Sequence, residues 1–98
     1  MSYNLDQSII NDIKKIADKY EKIDKITLFG SRARGDNKAS SDIDLAVYCN
    51  ESFKDESRVY FDLEDINTLL KLDIIFVKKN TDKKLMENIK REGVIIYE

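Results

Sequence analysis

Three groups of residues in this chain have types and spacings suited to phosphate chemistry. The first is the pair Gly30-Ser31, which follows a short apolar run over residues 26–29. Because glycine has no Cβ, a phosphate can approach the backbone closely there. Ser31 offers a hydroxyl and a backbone N–H at the start of a helix, where partial positive charge favours anions. For this pair alone, a simple strand-to-helix turn with serine as the N-cap is the commoner explanation.

The second group is the carboxylate pair Asp42 and Asp44. At i and i+2 of a strand, their side chains point the same way and lie several ångströms apart. Two carboxylates held together repel each other unless a cation, a proton or an arginine relieves them. A divalent ion that also binds phosphate oxygens would do so. Without the upstream Gly-Ser, a solvated strand face explains the pair equally well.

The third group supplies one more carboxylate and two arginines. Asp73 interrupts the apolar run over residues 72–77, which predicts a buried strand, and an unpaired carboxylate is costly to bury. On a strand beside Asp42 and Asp44 it would complete a cage of three carboxylates; alternatively it pairs with Lys71. Arg32 and Arg34 add positive charge beside the phosphate turn, although an exposed helix position explains Arg32 equally well.

The composition narrows the chemistry that these residues can perform. The chain of 98 residues has no histidine and one cysteine, Cys49. Catalysis by a Ser-His triad and His-ligated zinc are therefore excluded within this chain. A metal site must use oxygen ligands, which favours magnesium, manganese or calcium.

Charge and hydropathy restrict the partners and the location. The net charge of −2 gives no overall basic field, so we expect no direct nucleic-acid partner. A single cysteine excludes an internal disulfide and suits a reducing cytosol. The apolar runs are too short for a membrane span, and the N-terminus lacks an export signal. We therefore expect a cytoplasmic protein without a membrane partner.

Helical and strand patterns alternate along the chain and predict one domain over residues 1–98. The pattern favours an α/β (α+β) domain with a sheet covered by helices, although periodicity does not determine strand direction. The predicted helices cover residues 5–20, 31–34, 59–70 and 82–91, and the predicted strands cover residues 26–29, 42–48, 72–77 and 94–97.

Taken together, the motifs resemble the minimal nucleotidyltransferases of the DNA polymerase β superfamily, and most of all the antitoxins of HEPN/MNT toxin–antitoxin pairs. The resemblance rests on Gly-Ser-Arg-Ala-Arg-Gly at residues 30–35, Ser-Asp-Ile-Asp-Leu at residues 41–45 and Leu-Asp-Ile at residues 72–74. It covers nearly the whole chain and implies a nucleotidyltransferase fold with a small mixed β-sheet flanked by helices. The combined pattern is far more specific than any of its parts.

The resemblance also implies roles for single residues. Gly30 and Ser31 match the pair that holds the triphosphate of ATP, and Arg34 lies beside them. Asp42, Asp44 and Asp73 match the catalytic carboxylates that bind two Mg²⁺ ions, with Asp73 helping to deprotonate the attacking hydroxyl. All three acidic positions are filled, as in an active enzyme.

The implied activity is transfer of AMP from ATP to a tyrosine of a cognate HEPN-domain RNase toxin, which silences the toxin in a hetero-oligomer. Larger relatives carry a second domain that supplies the acceptor site, so we expect the acceptor to arrive on a partner protein. Two alternatives remain open: a non-catalytic antitoxin that blocks its partner sterically, and a nucleotidyltransferase that acts on a small molecule.

Overall fold

Helices and strands alternate in the order that the sequence predicts. The computed structural model describes residues 3–50 and 54–98. In these ranges the elements are α1 (Gln7–Asp18), β1 (Ile23–Phe29), α2 (Ser31–Arg34), β2 (Ile43–Cys49), α3 (Glu56–Glu64), β3 (Leu72–Val77), α4 (Lys83–Glu92) and β4 (Val94–Tyr97). The predicted elements are confirmed, with differences at their ends: β1 begins earlier than predicted, and α3 stops at Glu64 rather than continuing to residue 70.

The four strands of the described residues form one mixed sheet with the order β3-β2-β1-β4. β1 runs antiparallel to both β2 and β4, whereas β2 and β3 are parallel and are joined through α3. A parallel pair needs such a crossover, whereas antiparallel strands can follow one another over a shorter connection. The predicted mixed sheet flanked by helices is therefore confirmed.

The main hydrophobic core lies between one face of the sheet and helices α1 and α3. Alternation along β2 sends Ile43, Leu45 and Val47 into this core, while Asp44 and Ala46 face the other side. The fully buried core side chains include Ile13, Leu28, Leu45 and Leu63, one from each of α1, β1, β2 and α3. Helix α4 packs against β1.

β3 is an edge strand, and this corrects the prediction of a buried strand. Only Leu72 is buried, while Asp73 is exposed and the other four residues are half-buried. An apolar run of this length is typical of a buried strand, but an edge strand has a neighbour on one side only. Asp73 therefore reaches solvent from within an apolar run.

No helix within residues 3–50 and 54–98 combines the length and the apolar character that crossing a membrane requires.

Candidate active site

The register of the two parallel strands brings Asp44 and Asp73 together. Asp44 of β2 is paired with Asp73 of β3. Neighbouring strands lie about 4.8 Å apart, and paired residues project from the same face of a sheet. Asp42 lies just before β2 and is exposed. The structure thus places the three predicted carboxylates at one end of the β2-β3 pair.

Gly30 is packed against Asp44 from the neighbouring strand. Phe29, the last residue of β1, is paired with Asp44 across the antiparallel ladder. Gly30 follows with φ 77° and ψ −159°, a region that is essentially restricted to glycine. A Cβ at residue 30 would overlap Oδ2 of Asp44. The turn at Gly30 and the carboxylate of Asp44 are therefore in direct contact.

Ser31 is the first residue of α2, and Gly30 is its N-cap. The interpretation of Ser31 as the N-cap is therefore wrong. Gly35 ends this one-turn helix with φ 86°, in the left-handed region that suits glycine. The predicted helix over residues 31–34 is confirmed.

The electrostatics of the site centre on Asp44. Partial burial, followed by the charges of Asp73 and Asp42, raises the pKa of Asp44 from 3.8 to about 6, while Arg34 opposes the shift. Burial and like charges both disfavour the ionised carboxylate. The negative charge of these carboxylates is thus only partly neutralised by the surrounding protein. A bound divalent cation would stabilise their ionised forms.

The donor set fits a hard divalent ion that is shared with a substrate. Among residues 3–50 and 54–98, no three acidic or cysteine side chains are already grouped closely enough to hold a metal ion. Mg²⁺ is usually bound by one or two carboxylates together with phosphate oxygens rather than by a cage made only of protein. The carboxylates Asp42, Asp44 and Asp73 are oxygen donors of this kind. They would hold Mg²⁺ in company with the nucleotide.

The two arginines of α2 have opposite surroundings. Arg32 is 6% exposed and donates three hydrogen bonds to backbone carbonyl groups: Nε to Ser41 at 3.0 Å, Nη2 to Ala39 at 3.0 Å and Nη1 to Asn4 at 3.2 Å. The interpretation of Arg32 as an exposed residue is therefore wrong. Its guanidinium ties the segment before α1 and the loop before Asp42 to α2.

Arg34 lies on the exposed side of α2 and is held by two carboxylates. Its Nε lies 3.1 Å from Oδ2 of Asp36, and its Nη1 lies 2.9 Å from Oε2 of Glu92. The sequence gives no sign of the contact with Glu92, because a contact across 58 residues leaves no local pattern. The burial of Arg32 has no sequence signal either, since the periodicity that indicates burial needs an element longer than four residues.

The alternative partner proposed for Asp73 is not found. Within the described part of the chain, no ion pair joins Asp73 to Lys71. A cavity of about 510 Å³ lies elsewhere, at the far end of β2 and β3, where Cys49, Val77 and Lys78 are among its lining residues. Since the predicted carboxylates gather at the opposite end of these strands, this cavity is not the candidate active site.

Comparison with known proteins identifies the family. The profile of the family described as polymerase beta, nucleotidyltransferase matches residues 11–98. This chain belongs to that family. The nucleotidyltransferase is also 32% identical over 80 residues to a protein of Methanocaldococcus jannaschii named as protein adenylyltransferase MJ1215, a stretch that covers 74% of this chain and 91% of the relative.

Solved structures agree with the family assignment. A toxin–antitoxin structure with AMP-PNP matches the nucleotidyltransferase with 26% identity and a TM-score of 0.64, over 89% of this chain and 71% of that chain. A variant of the toxin–antitoxin pair MntA–HpeT has the same fold, with 21% identity and a TM-score of 0.68 over the same shares of the two chains. The resemblance to minimal nucleotidyltransferases and the predicted fold are confirmed.

Proposed function

We propose that this nucleotidyltransferase is the antitoxin of a toxin–antitoxin pair and transfers AMP from ATP to a tyrosine of a HEPN-domain RNase toxin. The observation that carries the proposal is the register that sets Asp44 beside Asp73, directly against the Gly30 turn. A relative named protein adenylyltransferase and a toxin–antitoxin neighbour with AMP-PNP support the reaction class and the kind of partner.

The nucleotide is proposed to bind with its phosphates against the turn at Gly30 and Ser31. The absence of a Cβ at Gly30 leaves room for phosphate oxygens, and Ser31 presents its backbone N–H and hydroxyl beside them. Arg34 provides positive charge where negative charge develops on the phosphates. Asp42, Asp44 and Asp73 would hold two Mg²⁺ ions, which would stabilise the phosphate charge and make the acceptor hydroxyl more acidic.

The reaction is a displacement at the α-phosphorus of ATP. The oxygen of the tyrosine hydroxyl forms a bond to the α-phosphorus, and the bond from that phosphorus to the oxygen leading to the β-phosphate breaks. Pyrophosphate leaves with the electron pair of that bond. Asp73 accepts the hydroxyl proton and passes it to solvent. The chain's own residues act by positioning the reactants and by electrostatics, which requires no histidine.

We further propose that residues 1–98 form one domain. This domain forms a stable complex with the toxin. Such a hetero-oligomer brings the acceptor tyrosine to the carboxylate edge of the sheet. Cys49, the single cysteine of the sequence, is compatible with the reducing cytoplasm in which we expect the pair to act.

The test is to incubate the protein with ATP, Mg²⁺ and the HEPN protein encoded beside it, and to measure the intact mass of that HEPN protein. We expect addition of one or more AMP units, located on tyrosine by peptide mapping. Substitution of both Asp42 and Asp44 by Asn should abolish transfer, whereas Asp24→Asn, at an exposed position of β1, should not. An unchanged mass under conditions where the complex forms would contradict the proposal.

The non-catalytic antitoxin that the sequence analysis leaves open predicts a different behaviour for the same variant. The two candidates differ in one result. The variant with Asn at positions 42 and 44 neutralises the toxin fully if neutralisation is steric, and fails to do so if AMP transfer is required.

A further inference from the structure

The guanidinium of Arg34 is held from two directions by segments that are far apart in sequence. Nε of Arg34 donates to Asp36, which lies two residues later in the sequence. Nη1 donates to Glu92, which is the last residue of α4. Because the two carboxylates engage different nitrogens, they restrict rotation of the planar group as well as its position. An arginine at the surface ordinarily keeps much of its rotamer freedom.

Glu92 is the better shielded of the two anchors. Its side chain is 18% exposed, whereas that of Asp36 is 62% exposed. Ion pairs that are shielded from water are screened less by solvent and salt than exposed ones. Water and salt therefore screen the contact with Glu92 less than the contact with Asp36.

Helix stability does not explain a carboxylate at position 92. The C-terminal end of a helix carries partial negative charge, which favours the preceding Lys90 and Arg91 and disfavours Glu92. The end of α4 is also fixed in place: the N–H of Gly93 donates to the carbonyl of Ile89 at 2.8 Å. A Cβ at Gly93 would lie only 2.5 Å from Cγ2 of Thr27 in β1. The backbone that carries Glu92 is therefore closely packed against β1.

Arg34 lies one helical turn after Gly30, and its backbone N–H donates to the carbonyl of Gly30 at 3.1 Å. Gly30 in turn is packed against the carboxylate of Asp44. Arg34 is therefore anchored at the turn at which the proposed function places the phosphates.

We propose that Glu92 is a positioning residue, which holds Arg34 so that the remaining N–H groups of the guanidinium face the phosphates of a bound nucleotide. The inference rests on the proposed function for its ligand, Mg²⁺-ATP. Without Glu92, Arg34 must lose its rotamer freedom when the nucleotide binds. We expect Glu92→Gln to weaken the affinity for Mg²⁺-ATP by about three- to tenfold, the usual cost of ordering one long side chain.

A double-mutant cycle tests this role with Mg²⁺-ATP binding and thermal unfolding as readouts. The variants are Glu92→Gln, Arg34→Gln and the double variant, with Glu87→Gln at an exposed position of the same helix as the matched control. If Glu92 acts through Arg34, its substitution weakens binding in the parent protein but not in the Arg34→Gln background. A purely structural role would instead lower the unfolding temperature and weaken binding equally in both backgrounds.

The outcomes separate this inference from the proposed function. Unchanged or tighter binding by Glu92→Gln would overturn the positioning role, because it would show that Glu92 is neutral or competes with phosphate for Arg34. A parent protein that does not bind Mg²⁺-ATP would overturn both proposals. A parent protein that binds Mg²⁺-ATP and shows the expected coupling, but does not modify its partner, would support the role of Glu92 and contradict the proposed reaction.

Discussion

Asp44 and Asp73 occupy paired positions on the parallel strands β2 and β3, so that two carboxylates stand side by side at the edge of the sheet. Stability alone does not favour this arrangement, because like charges on neighbouring strands repel each other. The raised pKa of Asp44 expresses that repulsion together with partial burial. Sites that bind charged ligands commonly retain such unfavourable interactions in the free protein.

We therefore expect Asp44→Asn to stabilise the free protein in a pH-dependent way. The folded-state pKa of about 6 lies above the ordinary value of 3.8, so the native state binds more protons between these values and its stability falls as pH rises through this window. Because Asp44 is half-exposed, solvent screening reduces the effect to about 1 kcal/mol of unfolding free energy at about pH 8. The gain should vanish at about pH 3, where the carboxylate is largely neutral in both states.

Urea denaturation at the two pH values measures this difference. Asp24→Asn, on exposed surface of β1, controls for the loss of a negative charge. A gain for Asp44→Asn that is equal at both pH values, or a loss at the higher pH, would show that Asp44 is not electrostatically strained. The same variant should lose AMP transfer, because its amide is a weaker ligand for Mg²⁺ than a carboxylate.

The sequence predicted the local elements around this site better than their arrangement in the sheet. Residues 30–35 and 41–45 are local motifs, and the helix from Ser31 to Arg34 is confirmed. Whether β2 runs parallel or antiparallel to its neighbours depends instead on packing between distant segments. The apolar run over residues 72–77 predicted a buried strand, but its neighbours in the sheet place it at an edge. Periodicity reports which residues avoid water and carries no information on strand order.

The arginines of α2 show the same limit. Arg32 and Arg34 are two residues apart in a helix of one turn, and no local pattern distinguishes them. The backbone carbonyl groups that surround Arg32 and the distant carboxylate that binds Arg34 come from other parts of the fold. Their different roles therefore follow from tertiary structure alone.

Gly30→Ala should destabilise the protein and displace the carboxylate of Asp44. The backbone conformation at Gly30 is essentially restricted to glycine, and forcing another residue into such a region costs about 1–3 kcal/mol. The new Cβ would also overlap Oδ2 of Asp44. We expect a lower free energy of unfolding in urea denaturation and a loss of affinity for Mg²⁺-ATP in equilibrium binding.

Combining Gly30→Ala with Asp44→Ala separates the two causes. The double variant keeps the backbone strain but removes the overlapping oxygen, which leaves only the ordinary contact with Cβ of residue 44 at 3.5 Å. Gly30→Ala should therefore cost less stability in the Asp44→Ala background than in the parent protein. Equal costs in the two backgrounds would mean that the Asp44 side chain moves away freely, contrary to a fixed contact between the turn and the carboxylate.

Arg32→Lys should cost stability even though it keeps the charge. An ammonium group cannot reproduce the planar fork that reaches the carbonyl groups of Asn4, Ala39 and Ser41. Loss of hydrogen bonds from the charged and buried Arg32 side chain predicts a loss of about 2–4 kcal/mol of unfolding free energy. Arg58→Lys, at an exposed position of α3, is the control and should change stability little. Hydrogen exchange of residues 36–41 should become faster only in the Arg32 variant, and unchanged exchange would contradict the anchoring role.

Mg²⁺ should bind well only together with ATP. The described carboxylates do not form a closed metal cluster, and Mg²⁺ prefers sites in which phosphate oxygens complete its ligands. Mg²⁺ alone should therefore shift the midpoint of thermal unfolding little. Mg²⁺ with ATP should raise the midpoint by several degrees, because a ligand at about 100 times its Kd adds about 2.7 kcal/mol of stability. Chelation of the metal by EDTA should reverse the shift. Asp73→Asn should reduce it, and Asp24→Asn should leave it intact.

Each departure from this pattern has a definite meaning for the metal site. A large shift with Mg²⁺ alone would show that Asp42, Asp44 and Asp73 form a complete metal site without the nucleotide. An equal shift with ATP in EDTA would show that the Gly30-Ser31 turn holds the phosphates without help from a metal. A full combined shift in the Asp73 variant would remove the exposed carboxylate of β3 from the groups that hold Mg²⁺-ATP, against the role that its pairing with Asp44 predicts.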